Sequence, residues 1–307
     1  MYSDFRQLFN DVKANWNVIA DHYQYARNKF FYQEDFISLL LFNRTHDKLP
    51  KTSFIDYNLI FDYYNENRKK INLVYGKEEK SLELPYQEVI NFIDNPDTVI
   101  NISGKIGSYQ LPEHIERNTQ NAFQAFLKER PHTTNDPKLR MANFHKNSAK
   151  SYSTKLEISS YYDAVHTSLS LDYPMDDDFM QTLRLKDLDK NNQLRPLSES
   201  LLDNHIGVFS TIAFKSNGYW YFHMMPRNRG LGIYNSMLSS IGGSADPSDE
   251  PVTELVSFAT KEMKRETKEE IGLDIHELEM AGRAQVVPLA FTRELARGGQ
   301  PQFFFVT

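Results

Sequence analysis

The chain has 307 residues, more than one domain usually holds, so two domains are the default organisation. Its 40% hydrophobic and 25% charged residues exclude a wholly disordered or collagen-like chain, and its formal charge of −6 excludes the broad basic footprint that duplex nucleic acid requires. The absence of cysteine excludes disulfides, thiolate nucleophiles and Cys-based zinc sites together, so any metal is held by oxygen or imidazole ligands.

The opening residues Met1-Tyr2-Ser3-Asp4-Phe5-Arg6 lack the basic-then-apolar layout of a signal peptide. The densest apolar run, Phe36 to Phe42, is far too short to cross a bilayer. With the missing cysteines, this predicts a soluble, cytoplasmic protein that does not enter the membrane.

From about Phe5 to Phe42, and again from about Phe54 to Val74, aromatic and aliphatic residues recur at three- and four-residue spacing, which predicts amphipathic helices. Asn95-Pro96-Asp97 signals a turn. Pro112 to Glu129 reads as one further helix with Ile115, Ala122, Phe123 and Phe126 on its apolar stripe. Pro131-His132-Thr133-Thr134-Asn135-Asp136-Pro137 is the best linker candidate. The pattern therefore predicts a mainly helical region of unknown role over 1–130 and an α/β domain over 138–307.

After the linker the periodicity becomes strand-like, alternating from Tyr152 to Ile158 and rich in β-branched and aromatic residues from Val208 to Phe214. Ser216-Asn217-Gly218 separates that run from Tyr219 to Met225. Asn-Gly between two such runs signals a hairpin, because both central residues of a type I′ turn need positive φ.

Ile241-Gly242-Gly243-Ser244-Ala245-Asp246 leads through a polar stretch to Pro251, and a helix is expected from Val252 to Gly272. Proline suits the first turn of a helix and glycine the position just past its end. At about 100° per residue, Val252, Leu255, Val256, Ala259, Met263 and Ile271 fall on one side. Glu262, Glu266, Glu269 and Glu270 occupy an arc of about 100° that overlaps the edge of this face.

Carboxylates three and four residues apart repel, and partial burial makes each charge costlier. A bound hard cation turns that penalty into affinity, and anionic oxygen ligands suit Mg²⁺ or Mn²⁺. Hydrolysis of a phosphoanhydride needs the same parts, namely charge neutralisation, an activated water and a carboxylate to take its proton. From the helix alone, a mixed Glu and Lys face is more often a solvated surface loosely paired with Lys264, Arg265 and Lys268.

Arg265-Glu266-x-x-Glu269-Glu270-x-Gly272-Leu273, preceded by a Gly-Gly loop, resembles the box of the Nudix hydrolase superfamily. The hairpin, an Arg after its second strand, the extended segment reaching Gly242-Gly243, the helix and a later strand such as Pro301 to Val306 follow the order of elements in that superfamily. The likeness covers about Ile206 to Thr307. Ser160 to Asp163 and Leu197 to Asn204 resemble, more faintly, elements of larger Nudix-like proteins with extra strands before the hairpin.

The resemblance implies a C-terminal Nudix-like α/β/α sandwich and Mg²⁺ or Mn²⁺ ligated by Glu266, Glu269 and Glu270. Glu266 and Glu269 are the catalytic candidates, with Arg265 orienting the carboxylates. Gly242, Gly243 and Arg227 are candidates for contacting substrate, and Arg229 stands beside them. The implied activity is hydrolysis of a nucleoside diphosphate linked to another group.

This box is atypical. Ser257 stands where a further Glu is usual, eight residues before Arg265, and an insertion of roughly Ser244 to Thr253 expands the loop. Glu250, Glu254 and Glu262 are equally open as replacements. A final helix is not expected before Thr307, so the sheet face near Phe303 to Phe305 is expected to lack its usual cover. A catalytically inactive nucleotide-binding or regulatory module of the same fold is the alternative function. Arg297-Gly298-Gly299 reads as a hairpin loop before an anion-binding turn.

Overall fold

The computed structural model describes residues 70–75, 78–83, 86–176, 178–187, 191, 193–226 and 238–307. Elements are numbered within these residues. Strands β1 (Lys70–Tyr75) and β2 (Glu78–Glu83) form a hairpin, followed by β3 (Tyr86–Asn91), β4 (Val99–Ile102) and β5 (Gly107–Ser108). Helices α1 (Glu113–Asn118) and α2 (Gln120–Glu129) lead to β6 (Pro137–Met141), β7 (His145–Lys146), β8 (Ser151–Thr154) and β9 (Leu156–Ser160). Then come α3 (Tyr161–His166), β10 (Pro174–Met175), β11 (Asp178–Thr182) and α4 (Leu183–Asp187). The remaining strands are β12 (Gly207–Ser216), β13 (Tyr219–His223), β14 (Met225–Pro226), β15 (Leu238–Ser239), β16 (Ile241–Ser244), β17 (Val287–Glu294) and β18 (Gln300–Val306), with α5 (Leu255–Ile271) and α6 (Ile275–Met280) between β16 and β17.

The fold is mixed α/β. Its largest sheet has six strands, in the order β13-β12-β18-β17-β3, with β16 pairing the first half of β12. β12 and β18 run parallel and the other pairs antiparallel. At the β12–β13 turn, Asn217 has φ 51° and Gly218 φ 83°, with Ser216 opposite Tyr219, as the Asn-Gly signal required. Two three-stranded sheets, β4-β8-β7 and β5-β9-β6, complete the upstream part. The run from Tyr152 to Ile158 is thus two strands in two sheets.

Alternation along β18 sends Phe303 and Phe305 to the face that α5 covers. There they join Phe291, Leu255, Phe258, Ala259 and Met263 in one buried cluster with Ile90, Ile100, Leu139 and Leu156. Each of the larger side chains, Ala259 apart, contributes about 1.5–3 kcal/mol when fully buried. This core and sheet draw on residues from both sides of Pro131–Pro137, since β3 pairs with β17. The face expected to lack cover at Phe303 and Phe305 is instead buried, in a cluster to which α5 and the upstream strands both contribute. Phe304 lies on the other face, half-buried against Phe209 and Tyr86.

The helix expected over Phe5 to Phe42 lies outside the described residues, as does the one from Phe54 up to residue 69. From Lys70 onward the chain is strand instead. Ile71, Leu73 and Tyr75 alternate, and pairing of Tyr75 with Glu78 closes a hairpin in which the facing backbone groups of the two runs meet. Among the described residues before Pro131, β1 to β5 stand beside α1 and α2, so strand content there is larger than the helical periodicity suggested.

The single helix expected from Pro112 to Glu129 is broken at Thr119. That residue leaves helical geometry and its hydroxyl donates to the Ile115 carbonyl. Ile115 therefore packs in one cluster with Leu171, Leu183 and Leu202, while Ala122 and Phe126 pack in another with Val165. Among the described residues no helix is long and apolar enough to cross a membrane.

Candidate metal centre

α5 starts at Leu255, later than the expected Val252, because the preceding residues are engaged elsewhere. Ile102 donates its N–H to the Thr253 carbonyl at 2.9 Å, and Glu254, extended at φ −134° and ψ 126°, forms a bridge with Asn101. The Glu254 carboxylate then caps the helix by accepting from the N–H groups of Val256 (2.9 Å) and Ser257 (2.6 Å). Gly272 ends it at φ 70°, the left-handed conformation that glycine adopts without a Cβ penalty.

Leu255, Phe258, Ala259 and Met263 bury one side of α5, which fixes the direction of the adjacent carboxylates. Glu262 is buried, Glu266 is nearly so with 14% of its side chain exposed, and Glu269 and Glu270 face water. The helix thus lays its glutamates across the boundary between core and solvent.

Beneath them runs β16. A Cβ added to Gly243 would lie 2.5 Å from Glu266 Oε1 and 2.7 Å from Oε2, so any other residue here would displace that carboxylate from the strand. At Gly242 an added Cβ would strike the Val208 carbonyl oxygen at 2.1 Å, and the Gly242 N–H donates to Glu270 Oε2 at 3.2 Å. The two glycines therefore hold the two ends of the carboxylate row against the strand.

Arg265 lies among the acids. Its Nη2 donates to Glu266 Oε1 at 2.8 Å and to Glu262 Oε2 at 3.0 Å, and its Nη1 donates to Glu269 Oε2 at 2.8 Å. Asp246 Oδ2 stands 3.1 Å from the same Nη2. Partial burial works against the guanidinium charge, but the hydrogen bond and charge of Glu262, then Glu269 and Glu266, raise its pKa further above the ordinary value. Burial pushes the Glu266 carboxyl up. Arg265 opposes that rise, and the charges of Glu269 and Glu270 add to it.

These donors fit a hard divalent cation in chemistry, being anionic oxygens beside a glycine cradle with an electrostatic cost that a cation relieves. Among the described residues, however, no group of three or more acidic or histidine side chains is gathered as a coordination shell. Arg265 takes hydrogen-bonding oxygens of Glu266 and Glu269, so ligation by Glu266, Glu269 and Glu270 together requires those side chains to turn.

The structure separates the three glutamates that were open as replacements at Ser257. Glu250 pairs with Lys261 at 2.5 Å in solvent, Glu254 caps the helix, and Glu262 alone reaches Arg265. Ser257 itself is exposed. Arg227 and Arg229 lie outside the described residues. Arg297-Gly298-Gly299 closes the β17–β18 hairpin through a 3₁₀ turn, with Gly298 at φ 66° and Gly299 at φ 88°.

Two groups escaped the sequence reading. Asp246 stands in the polar insertion and Lys138, on β6, pairs with its carboxylate; no spacing pattern links residues so far apart. The second group joins the faintly suggestive segments. Ser160 and Asp163 form a capping box on α3, and the buried Asp203 accepts from the Thr167 hydroxyl at 2.8 Å and faces His205 Nδ1 at 3.2 Å. His205 Nε2 lies 3.2 Å from the Ser159 hydroxyl.

In comparisons with protein-family models and with curated proteins, none matched this chain.

Proposed function

We propose that the chain is a Mg²⁺- or Mn²⁺-dependent hydrolase of the Nudix type, with a Nudix-like α/β/α sandwich over its C-terminal part. Its substrate class is a nucleoside diphosphate linked to another group, and its setting the cytoplasm. The observation that carries this reading is the contact between Gly243 and Glu266, a backbone bared so that a largely buried carboxylate can lie on it.

Glu266, Glu269 and Glu270 would hold the cation, which when bound neutralises phosphate oxygens and lowers the pKa of water. Glu266 is suited to accept the proton of an attacking water, because burial and neighbouring negative charge already raise its proton affinity. Arg265 orients Glu266 and Glu269 and limits their mutual repulsion. Gly242 fixes Glu270 through its N–H, and Gly243 keeps the floor of the site free of a side chain.

The wild-type protein, given Mg²⁺ or Mn²⁺ and a panel of nucleoside-diphosphate conjugates, is expected to release phosphate or a nucleoside monophosphate. A second reading, a nucleotide-binding module without turnover, draws on the ion pairs that tie Arg265 to Glu266 and Glu269. Nucleotide binding without release of product across the panel would select it.

A further inference from the structure

Both ends of the insertion in the box are fastened to strands upstream of it. At its start, the Leu139 N–H donates to the Ala245 carbonyl at 2.9 Å and the Ala245 N–H donates to Ile206 at 2.8 Å, with Ala245 fully buried. At its end, Ile102 bonds Thr253, and Ile100 donates its N–H to Glu254 Oε1 at 3.2 Å.

Asp246, next in the insertion, joins it to the polar edge of α5. One carboxylate oxygen takes the Lys138 ammonium, the other stands 3.1 Å from Arg265 Nη2, and its backbone N–H donates to Glu262 Oε2 at 3.1 Å. Glu262 Oε2 in turn accepts Arg265 Nε at 3.2 Å. An unbroken polar chain therefore runs from Lys138 through Asp246 and Arg265 to Glu266 and Glu269. Arginine loses its hold on carboxylates steeply when its planar fork rotates, so whatever fixes that plane fixes the carboxylates too.

We infer that Lys138 and Asp246 are positioning residues of the candidate centre: they set the plane of the Arg265 guanidinium and through it the placement of Glu266 and Glu269. This rests on the hydrolase reading above and deepens it, because it makes the upstream strand β6 part of the site. The inserted loop adds a third anion at Arg265 Nη2, beside Glu262 and Glu266 of the helix, and it is the one of the three that is tied to an upstream strand through Lys138.

The test uses full-length wild type, Asp246→Asn, Lys138→Met, the double variant and the conservative Asp246→Glu. Mn²⁺ affinity is measured by titration without nucleotide, the Arg265 Nε–Hε resonance by NMR, kcat and KM on the best substrate of the panel, and melting in chelator. Each single variant is expected to weaken Mn²⁺ binding about 10–100-fold and to lower kcat while KM stays within about twofold. The Arg265 resonance should move toward that of a free side chain, melting in chelator should stay near wild type, and the double variant should be no worse than either single. Asp246→Glu should recover part of the Mn²⁺ affinity.

Wild-type Mn²⁺ affinity and an unmoved Arg265 resonance in both single variants would overturn the relay and leave the hydrolase reading intact. A large loss of melting temperature in chelator, with Mn²⁺ affinity of the folded fraction unchanged, would overturn it as well by making the pair merely structural. If wild type neither binds Mn²⁺ nor turns over any substrate, the hydrolase reading itself fails, and the positioning role goes with it.

Discussion

Around Asp203 each charged oxygen lies in the core with donors built around it: Thr167 and Ser168 meet one oxygen, and the His205 ring and backbone meet the other. Around Arg265 the acids outnumber the base. Glu262, Glu266, Glu269 and Asp246 share one guanidinium, and the outer members are open to water. A network closed on all sides stabilises a fold and leaves nothing for a ligand to add. An over-supplied network at the solvent boundary keeps incompletely neutralised charge, which is what the proposed cation would offset.

The largest effect expected from this contrast is at Asp203. Burial alone would raise its carboxyl, and His205, Ser168 and Thr167 more than reverse this, holding it below the usual carboxylate value. Burial lowers the His205 pKa, so its ring is neutral at neutral pH and Asp203→Ala strands donors rather than a charge. The Thr167 hydroxyl and the Ser168 and His205 N–H groups are left unmet, each costing about 1–3 kcal/mol, so the variant should lose several times the effect of a surface mutation in urea denaturation. Because the folded pKa is depressed, the contribution is present above the unfolded value and is lost as pH falls through the folded one. A loss as small as that of a surface mutation would show that the network is not closed.

The next effect is a pH dependence from Asp187, buried beside Leu201 and Ser200. Burial raises its pKa from 3.8 to about 6, against the pull of the Leu201 N–H and then of Arg293 and Arg195. Its ionisation is costlier folded than unfolded, so stability should decline as pH rises from about 4 to about 6, by roughly 3 kcal/mol at most, and stay flat above. Denaturation across that window should show the slope in wild type and lose it in Asp187→Asn. An unchanged slope in the variant would assign it elsewhere.

Gly243→Ala sharpens the comparison at the open network. The new methyl would displace the Glu266 carboxylate, the far end of a flexible side chain, so the variant should lose no more than about 1 kcal/mol, and its Mn²⁺ affinity should fall further than its stability predicts. Equal Mn²⁺ binding by the alanine variant would remove the reason for a glycine there.

Smallest in stability is Glu269→Gln. Relief of repulsion from Glu266 and loss of the Arg265 ion pair nearly offset, so melting in chelator should change by less than about 0.5 kcal/mol while Mg²⁺-dependent hydrolysis is abolished. Hydrolysis at the wild-type rate would take Glu269 out of the site.

Local patterns fixed the parts of the site that depend on neighbours along the chain. The Asn217-Gly218 turn, the helix stop at Gly272, the buried stripe of Leu255, Ala259 and Met263 and the row of glutamates beside it all follow from φ preference and helical period, which one segment carries by itself. The tertiary structure alone decided matters of pairing. It set the later start of α5, because Thr253 and Glu254 are spoken for by β4; the break at Thr119; the joining of β3 to β17 across the Pro131–Pro137 segment; and the meeting of Lys138 with Asp246. Each of these involves a hydrogen bond or ion pair between residues distant in sequence, at Thr119 the 2.9 Å contact of its hydroxyl with His166 Nδ1. Their energy is realised only when the core brings the partners together, so no local periodicity carries their trace.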